Sequence, residues 1–219
     1  MELTIRISPD EAEITVEKNI NGVIARKTVS EEQLFSSILE SRQIEEARPT
    51  GLLPLGCIAA TLGQNHVWYF IRYPELYADI TYMDTEYPHF PLPRLVFGIQ
   101  YLPREQKVAL TALCVVKDER LTPDTPLFRY PFSNVGSGDL ICIGNNALPV
   151  YKDPTRLHTL TAFILRLPNN NDHYSANNNR MKAEYRDLLE MMKDREPAAY
   201  YTDVLVESGR TLKDFMNRS

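Results

Sequence analysis

The middle of the chain carries a succession of β-type segments that restricts the folds open to it. Runs rich in β-branched and aromatic residues occur at about 66–72, 77–83, 94–102 and 107–117. Between the second and third runs, residues 87–93 include three prolines. Because proline cannot donate a hydrogen bond to a sheet, this segment cannot be a regular helix or a central strand. The pattern predicts a four-stranded antiparallel meander, preceded by an irregular stretch over 47–64.

The sequence before the meander predicts a β region followed by a helix. Asn21-Gly22 lies between two alternating runs, which is typical of a two-residue hairpin turn. Ser30 and Gln33 have capping-box spacing and predict a helix over about 31–43. We therefore expect residues 1–29 to form an N-terminal β extension, with its hairpin, and residues 30–219 to form the main domain.

The last third of the chain is dominated by helical patterns. Asp153-Pro154 is a plausible helix start, and an amphipathic stripe running from Met181 to Met192 predicts a second helix. An asparagine-rich tract over 169–179 predicts a solvated loop between them. Strands followed by helices indicate an α+β class, in which the meander is flanked by helices. Two further short helical pieces are predicted, at 200–206 and 212–216.

Composition excludes several classes of function. The 219 residues carry a net charge of −5, whereas a nucleic-acid-binding surface needs a basic face. No apolar run approaches membrane-spanning length, and we expect a cytoplasmic protein. The three cysteines are widely spaced without a Cys-x-x-Cys pair, which disfavours a zinc site or a dithiol redox pair. No cofactor is predicted.

The segment 131–146 holds the strongest candidate for chemistry. It places Cys142 at the end of a loop of Ser, Asn and Gly, with Asn134 eight positions upstream. A thiol at such a junction can be exposed and act as a nucleophile. The alternative is a small core side chain between Ile141 and Ile143, since free cysteine is often buried. Cys114, inside an apolar β run, is expected to be such a core residue.

The order of a meander, a proline-rich turn, a cysteine-bearing irregular segment and then helices resembles the ubiquitin-conjugating-enzyme (UBC) fold. Residues 87–93, Tyr-Pro-His-Phe-Pro-Leu-Pro, look like a loosened form of the family's Tyr-Pro-Phe-x-Pro-Pro signature. The family's His-Pro-Asn, with its Asn eight residues before the catalytic cysteine, is similar to Phe132-Ser133-Asn134 and Cys142. Phe132 and Ser133 depart from that pattern.

These departures are similar to the prokaryotic UBC-like branch that includes the PRTRC system B proteins. Members of that branch lack the upstream histidine and carry one after the cysteine, and Cys142-Ile143-Gly144 fits their Cys-x-Gly. The resemblance spans roughly residues 30–195. It implies a conjugating enzyme that receives a ubiquitin-like modifier from a ThiF-type activating enzyme, holds it as a thioester, and passes it to an amine.

The resemblance implies a role for each site residue. Cys142 would carry the thioester, and Asn134 would either donate its amide to the oxyanion or brace its own turn. For the auxiliary base we prefer His173, next to Asp172 on the polar loop, over His158 on the helical stripe. A non-catalytic adaptor with the same fold is the first alternative. A cysteine hydrolase using Cys142 and His173 is the second.

Overall fold

The computed structural model describes residues 2–7, 13–42 and 51–217, and the chain divides into two compact units, Met1–Gly51 and Leu52–Ser219. The predicted boundary after residue 29 stays a prediction, and the first helix belongs to the first unit. No helix among the described residues is long and apolar enough to cross a bilayer.

The first unit is a three-stranded antiparallel sheet followed by a helix. Strands β1 (Glu2–Arg6), β2 (Glu13–Ile20) and β3 (Val23–Ser30) lie in chain order, and α1 spans Glu31–Arg42. The hairpin turn at Asn21-Gly22 is confirmed, with both residues at positive φ, as this tight turn requires. The capping box is confirmed as well, because Ser30 and Gln33 exchange side-chain to backbone hydrogen bonds of 3.2 and 3.3 Å. Residue 43 of the predicted helix lies outside the described residues.

The second unit is built on a six-stranded antiparallel sheet in the order β11-β10-β9-β8-β5-β4. A separate two-stranded sheet, β6-β7, is inserted between β5 and β8 in the chain. The mixed composition, with more strand than helix, is compatible with the predicted α+β class. The strands of this unit are β4 (Cys57–Leu62), β5 (Val67–Tyr73), β6 (Leu76–Tyr82), β7 (Thr85–Leu92), β8 (Leu95–Leu102), β9 (Lys107–Val116), β10 (Pro126–Phe128) and β11 (Glu207–Thr211).

The observed sheet differs from the predicted meander. Of the four predicted runs, 66–72, 94–102 and 107–117 are adjacent strands of the sheet, whereas 77–83 pairs with β7 outside it. Pro88 and Pro91 lie within β7. A two-stranded sheet tolerates them because each of its strands donates backbone hydrogen bonds along one edge only. The expectation that the proline-rich segment is no central strand holds.

The stretch 47–64, predicted to be irregular, contains an edge strand. Residues Cys57–Leu62 form β4, and their side chains alternate between half-buried and exposed. Gly56 and Gly63 lie on either side of this short run, and for this reason the alternation was not recognised as a strand in the sequence. Residues 47–50 lie outside the described part of the chain.

Apolar side chains cover both faces of the sheet. Along β5, Tyr69 and Ile71 point to the larger core, where helices α2 (His158–Leu165) and α3 (Tyr185–Met192) lie. Trp68 and Phe70 point to a smaller core closed by α4 (Leu212–Met216). Cys114 is 2% exposed in this smaller core, as predicted. The sheet therefore supplies a rigid frame whose larger core supports the cysteine-bearing segment.

The helical predictions hold with shifted ends. Asp153 caps a 3₁₀ turn over Pro154–Leu157 that continues into α2, and the predicted 212–216 piece is α4. The 200–206 piece is a π-helical turn over Tyr200–Val204, and the polar strand β11 after it was not predicted. The asparagine-rich tract is irregular, but its two end residues, Asn169 and Asn179, are buried rather than solvated.

Candidate active site

Residues 134–142 fold into a small hairpin that carries the candidate nucleophile; we call it the thiol hairpin. Val135 and Ile141 form an antiparallel bridge. On either side of them, the Cys142 amide donates to the Asn134 carbonyl at 2.7 Å and the Gly136 amide donates to the Leu140 carbonyl at 2.9 Å. The eight-residue spacing seen in the sequence thus becomes a direct backbone pair between Asn134 and Cys142.

The thiol hairpin is held from both sides. Strand β10 covers the edge of β9 only at Val115 and Val116, which leaves the same edge open near Thr111. There the Ile141 amide donates to the Thr111 carbonyl at 2.9 Å. On the opposite side the Asn134 amide donates to the Asp172 carbonyl at 3.3 Å. The hairpin consequently joins the central sheet to the loop that carries His173.

Strand alternation decides which side chains of the hairpin face solvent. Val135 and Ile141 pack against the larger core. Because neighbouring positions of a strand point to opposite faces, Gly136 and Cys142 share the other face, whereas this alternation does not apply to Asn134 with its left-handed backbone. Cys142 is accordingly exposed, so it is not the small core side chain that was the alternative interpretation.

The other two thiols are not presented in this way. Cys114 is buried, and Cys57 is half-buried on the edge strand. The Cys57 sulfur donates to the Ala59 carbonyl at 3.2 Å, and burial raises the pKa of this thiol. A raised pKa lowers the thiolate fraction and therefore the reactivity. All three cysteines lie in the described part of the chain, and Cys142 is the one that is exposed.

Asn134 braces the hairpin with both its backbone and its side chain. Its φ of 64° is in the left-handed region, which asparagine tolerates better than most residues. Its Nδ2 donates to the Pro168 carbonyl at 3.0 Å. The bracing role is thus present in the structure, while the second hydrogen of the amide is not used by this bond.

Phe132 and Ser133, which stand where the resemblance to the UBC fold would place His and Pro, are part of the core. Phe132 is 2% exposed, and its ring contacts those of Phe90, Tyr130 and Tyr200. The buried Ser133 hydroxyl donates to the Asn169 side-chain oxygen at 3.0 Å. Neither residue presents a side chain to the solvent face, so neither substitutes for an upstream histidine.

His173 lies on the same face as the thiol. A Cβ added at Gly136 would point to the face shared with Cys142, and it would lie 3.3 Å from the Nδ1 of His173. The imidazole therefore covers Gly136, whose lack of a side chain makes room for it. Gly136 and Cys142 are diagonal neighbours in the hairpin, a relation that separates them by about 7–8 Å. His173 thus lies over the hairpin strand opposite the one that carries Cys142, and Asn134 is the backbone partner of Cys142.

Asp172 and His158 have other roles in the structure. The Asp172 carboxylate accepts from the Asn170 amide at 2.9 Å, and within the described ranges it forms no ion pair with His173. His158 begins α2, where its Nδ1 lies 2.9 Å from the Thr155 carbonyl and its own carbonyl accepts from Thr161. These contacts are those of a residue that shapes a helix start.

Two residues that the sequence did not single out hold the His173 loop in place. Asn179 is 1% exposed, and its side chain donates to the Tyr174 hydroxyl at 3.0 Å while accepting from the Ala183 amide at 3.0 Å. The Tyr174 ring stacks on that of Tyr185, and its hydroxyl donates to the Ala183 carbonyl. Burial raises the pKa of Tyr174 to about 12, so the hydroxyl stays protonated as these bonds require. A buried Asn in an Asn-rich tract gives no sequence signal that separates it from its exposed neighbours.

A groove of about 400 Å³ opens beside the thiol hairpin, and we call it the arginine groove. Val135, Gly136 and His173 form part of its wall. Arg129, which follows β10, and Arg210, from β11, bring two guanidinium groups to it. His173 therefore borders both the thiol face and this groove. The sequence gave no indication of this groove, because Arg129 and Arg210 are far apart in the chain.

The sequence is similar to a known protein family. Residues 32–208 match the model of prokaryotic E2 family D. The chain belongs to prokaryotic E2 family D. The matched part runs from α1 into β11 and so contains the thiol hairpin, the His173 loop and most of the arginine groove. No curated protein and no solved structure matches the chain.

Membership of family D confirms the predicted prokaryotic conjugating-enzyme-like family. It supports a role for this E2-like chain in a ubiquitin-like conjugation pathway, and with it an interaction with an activating enzyme and a modifier. The PRTRC assignment and the ThiF type of the activating enzyme stay predictions. Among the described residues no cluster of side chains could hold a metal ion.

Proposed function

We propose that the chain is a ubiquitin-like-protein conjugating enzyme that carries its modifier as a thioester on Cys142 and passes it to an amine. The observation that supports this most is the shared face of the thiol hairpin. An exposed thiol on one strand of the hairpin and an imidazole over Gly136 on the other support a common site, and the backbone that carries them is fixed from both sides. A fixed backbone matters because catalytic groups must be held close to their productive geometry.

The first step loads the thiol. The Cys142 thiolate attacks the carbonyl carbon of the thioester on the activating enzyme, a new C–S bond forms, and the activating enzyme's thiolate leaves. The second step transfers the modifier. The acceptor amine attacks the same carbonyl carbon, the tetrahedral intermediate collapses, and the Cys142 thiolate leaves as the amide forms.

Asn134 and His173 assist the second step. The free hydrogen of the Asn134 amide donates to the oxyanion, and one such donor contributes about 3 kcal/mol to a transition state. His173 takes the proton that the attacking amine loses, a task for which imidazole is suited near neutral pH. His158 lacks this placement, and we assign it no catalytic part. An activating enzyme of the ThiF type would supply the first thioester, in the cytoplasm, where thiols stay reduced.

A chemical donor tests the proposal without the natural modifier. The protein is mixed with an acetyl-Gly-Gly thioester, and intact mass and peptide mapping locate the acyl group. We expect acylation at Cys142, its absence in Cys142→Ala, and its persistence in the matched Cys57→Ala variant. Lysine is then added, and the loss of the acyl group is timed against that of an acylated cysteine peptide. Discharge from the protein no faster than from the peptide would overturn the proposal.

A non-catalytic adaptor is the second candidate, and the burial of Phe132 favours it. The position that holds a histidine in other conjugating enzymes has here become part of the core. An adaptor predicts that Cys142→Ala and His173→Asn leave the function in cells unchanged. It also predicts no rate enhancement in the acyl-discharge experiment, so the two candidates give opposite results.

A further inference from the structure

We infer that the arginine groove selects acceptors in which a carboxylate lies next to the reacting amine. This inference rests on the proposed function, because it concerns the substrate of that same site. It assigns the groove to the acceptor and names the chemistry that the acceptor presents: an acidic side chain one or two residues from a lysine.

The charge of the groove favours an anionic ligand. Arg210 is paired with Asp139 at 2.5 Å, so these two charges offset each other. Arg129 forms no ion pair with any residue of the described ranges, and its side chain makes only a 3.4 Å hydrogen bond with Asn178. The groove therefore carries one uncompensated positive charge, on a chain whose net charge is −5. Local charge of this sign attracts an anionic group and repels a basic one.

The shape of the donors in the groove favours a carboxylate. A guanidinium is a planar fork that matches a carboxylate with two parallel hydrogen bonds. The volume of about 400 Å³ is in the range of small-ligand sites and accommodates one or two residues of a peptide. The Ser208 hydroxyl, which also borders the groove, already donates to the Leu127 carbonyl and accepts from the Arg210 amide. Arg129 is consequently the group that is free to bind the ligand.

The position of the groove favours the acceptor as its occupant. His173 and Gly136 both border the groove, and Gly136 lies on the hairpin strand opposite the one that carries Cys142. A carboxylate held by Arg129 would place a neighbouring lysine near the imidazole that takes its proton. The modifier's own C-terminal carboxylate cannot be the occupant during transfer, because it has been consumed in the thioester. The amine attacks the thioester carbonyl, the C–S bond breaks, and His173 takes the proton.

The test uses the protein acylated on Cys142 from the acetyl-Gly-Gly thioester, a donor without acidic groups. The acceptors are acetylated lysine peptide amides with one glutamate at one or two positions on either side of the lysine. Each has a counterpart with glutamine in its place. The measured quantity is the ratio of the two discharge rates within each pair. We expect a ratio of about two to five for the best pair, the range given by one carboxylate–guanidinium contact near the surface.

Three variants make the result specific to the groove. In Arg129→Gln the ratio should fall to about one, and in Arg129→Glu it should drop below one because the groove then repels the acid. The control is Arg104→Gln, the same charge change in the β8–β9 turn, and it should keep the wild-type ratio. At 1 M salt, where charges are screened beyond about 3 Å, the wild-type ratio should shrink.

The outcomes separate the inference from the proposed function. Accelerated discharge with equal rates for glutamate and glutamine peptides overturns the inference alone. A glutamate preference that persists in Arg129→Gln also overturns it, because the preference then arises elsewhere. Discharge no faster than from an acylated cysteine peptide overturns the proposed function and this inference with it.

Discussion

Replacing Gly136 tests whether His173 acts through its position on the thiol hairpin. The backbone at Gly136 has φ −85° and ψ −170°, an extended conformation that any residue adopts. An alanine there needs no backbone strain, and losing a glycine stabilises a folded chain by about 0.4–1 kcal/mol through the unfolded state. A lower rate in Gly136→Ala would therefore not be caused by unfolding.

The size of the effect follows from the contact that the new side chain makes. The alanine Cβ would lie 3.3 Å from the His173 Nδ1, closer than an ordinary contact of about 3.5–4.0 Å. The exposed imidazole would move by roughly 0.3 Å to relieve this. If a displacement of about 1 Å costs 100-fold, then 0.3 Å costs roughly fourfold. Valine at the same position places further methyl groups under the ring, and we expect roughly a 100-fold loss.

The assay is the discharge of the acyl group from Cys142 to lysine, measured in single-turnover experiments. Gly136→Ala and Gly136→Val are each combined with His173→Asn in a double-mutant cycle. Because both changes act through one imidazole, the glycine substitutions should have no further effect once His173 is gone. Equal losses in the presence and absence of His173 would refute the reasoning, as would an unchanged rate in Gly136→Val.

Three further predictions address the residues around the thiol hairpin. Asn134→Gly keeps the left-handed backbone but removes the amide, and it should slow acyl transfer to lysine by about 100-fold in the discharge assay; a wild-type rate would exclude the oxyanion role. Asn179→Ala should lower the free energy of unfolding by about 2 kcal/mol in urea titrations because it leaves buried partners unsatisfied, whereas the exposed Asn177→Ala should change it little. For Tyr174, with a pKa raised from 10 to about 12, the stabilisation is complete below pH 10 and is lost as the pH rises towards 12. Urea titrations across that interval should show the fall in wild type and a smaller one in Tyr174→Phe.

Local sequence patterns predicted the parts of the fold that local physics determines. Asn21-Gly22 requires positive φ, and Ser30 with Gln33 satisfies the free amides of a helix start, so both features could be read within four residues. The alternating runs of β5, β8 and β9 were equally visible. Strand β4 was missed because Gly56 and Gly63 leave only six residues between them.

Pairing between distant segments could not be predicted in the same way. The run 77–83 had the composition of a strand of the main sheet, but it pairs with the proline-bearing β7. Which strand it pairs with depends on the backbone donors that remain available. Within the candidate site, the Asn134–Cys142 relation was visible because it is short. The apposition of His173 and Gly136 and the approach of Arg129 to Arg210 depend on how loops pack across the sheet, and no local pattern encodes them.

The backbone pairing in the thiol hairpin has a consequence for how such sequences can diverge. The face on which the thiol lies depends on the two steps from Leu140 to Cys142, and one residue inserted there would turn the sulfur into the core. The turn over Ser137–Asp139 lies beyond the last paired residues, so its length can change without altering the face on which Cys142 lies. Among related chains, the number of residues between the asparagine and the cysteine is thus free to vary. What must be preserved is the odd offset, here one residue, from the Val135–Ile141 bridge outward to Cys142.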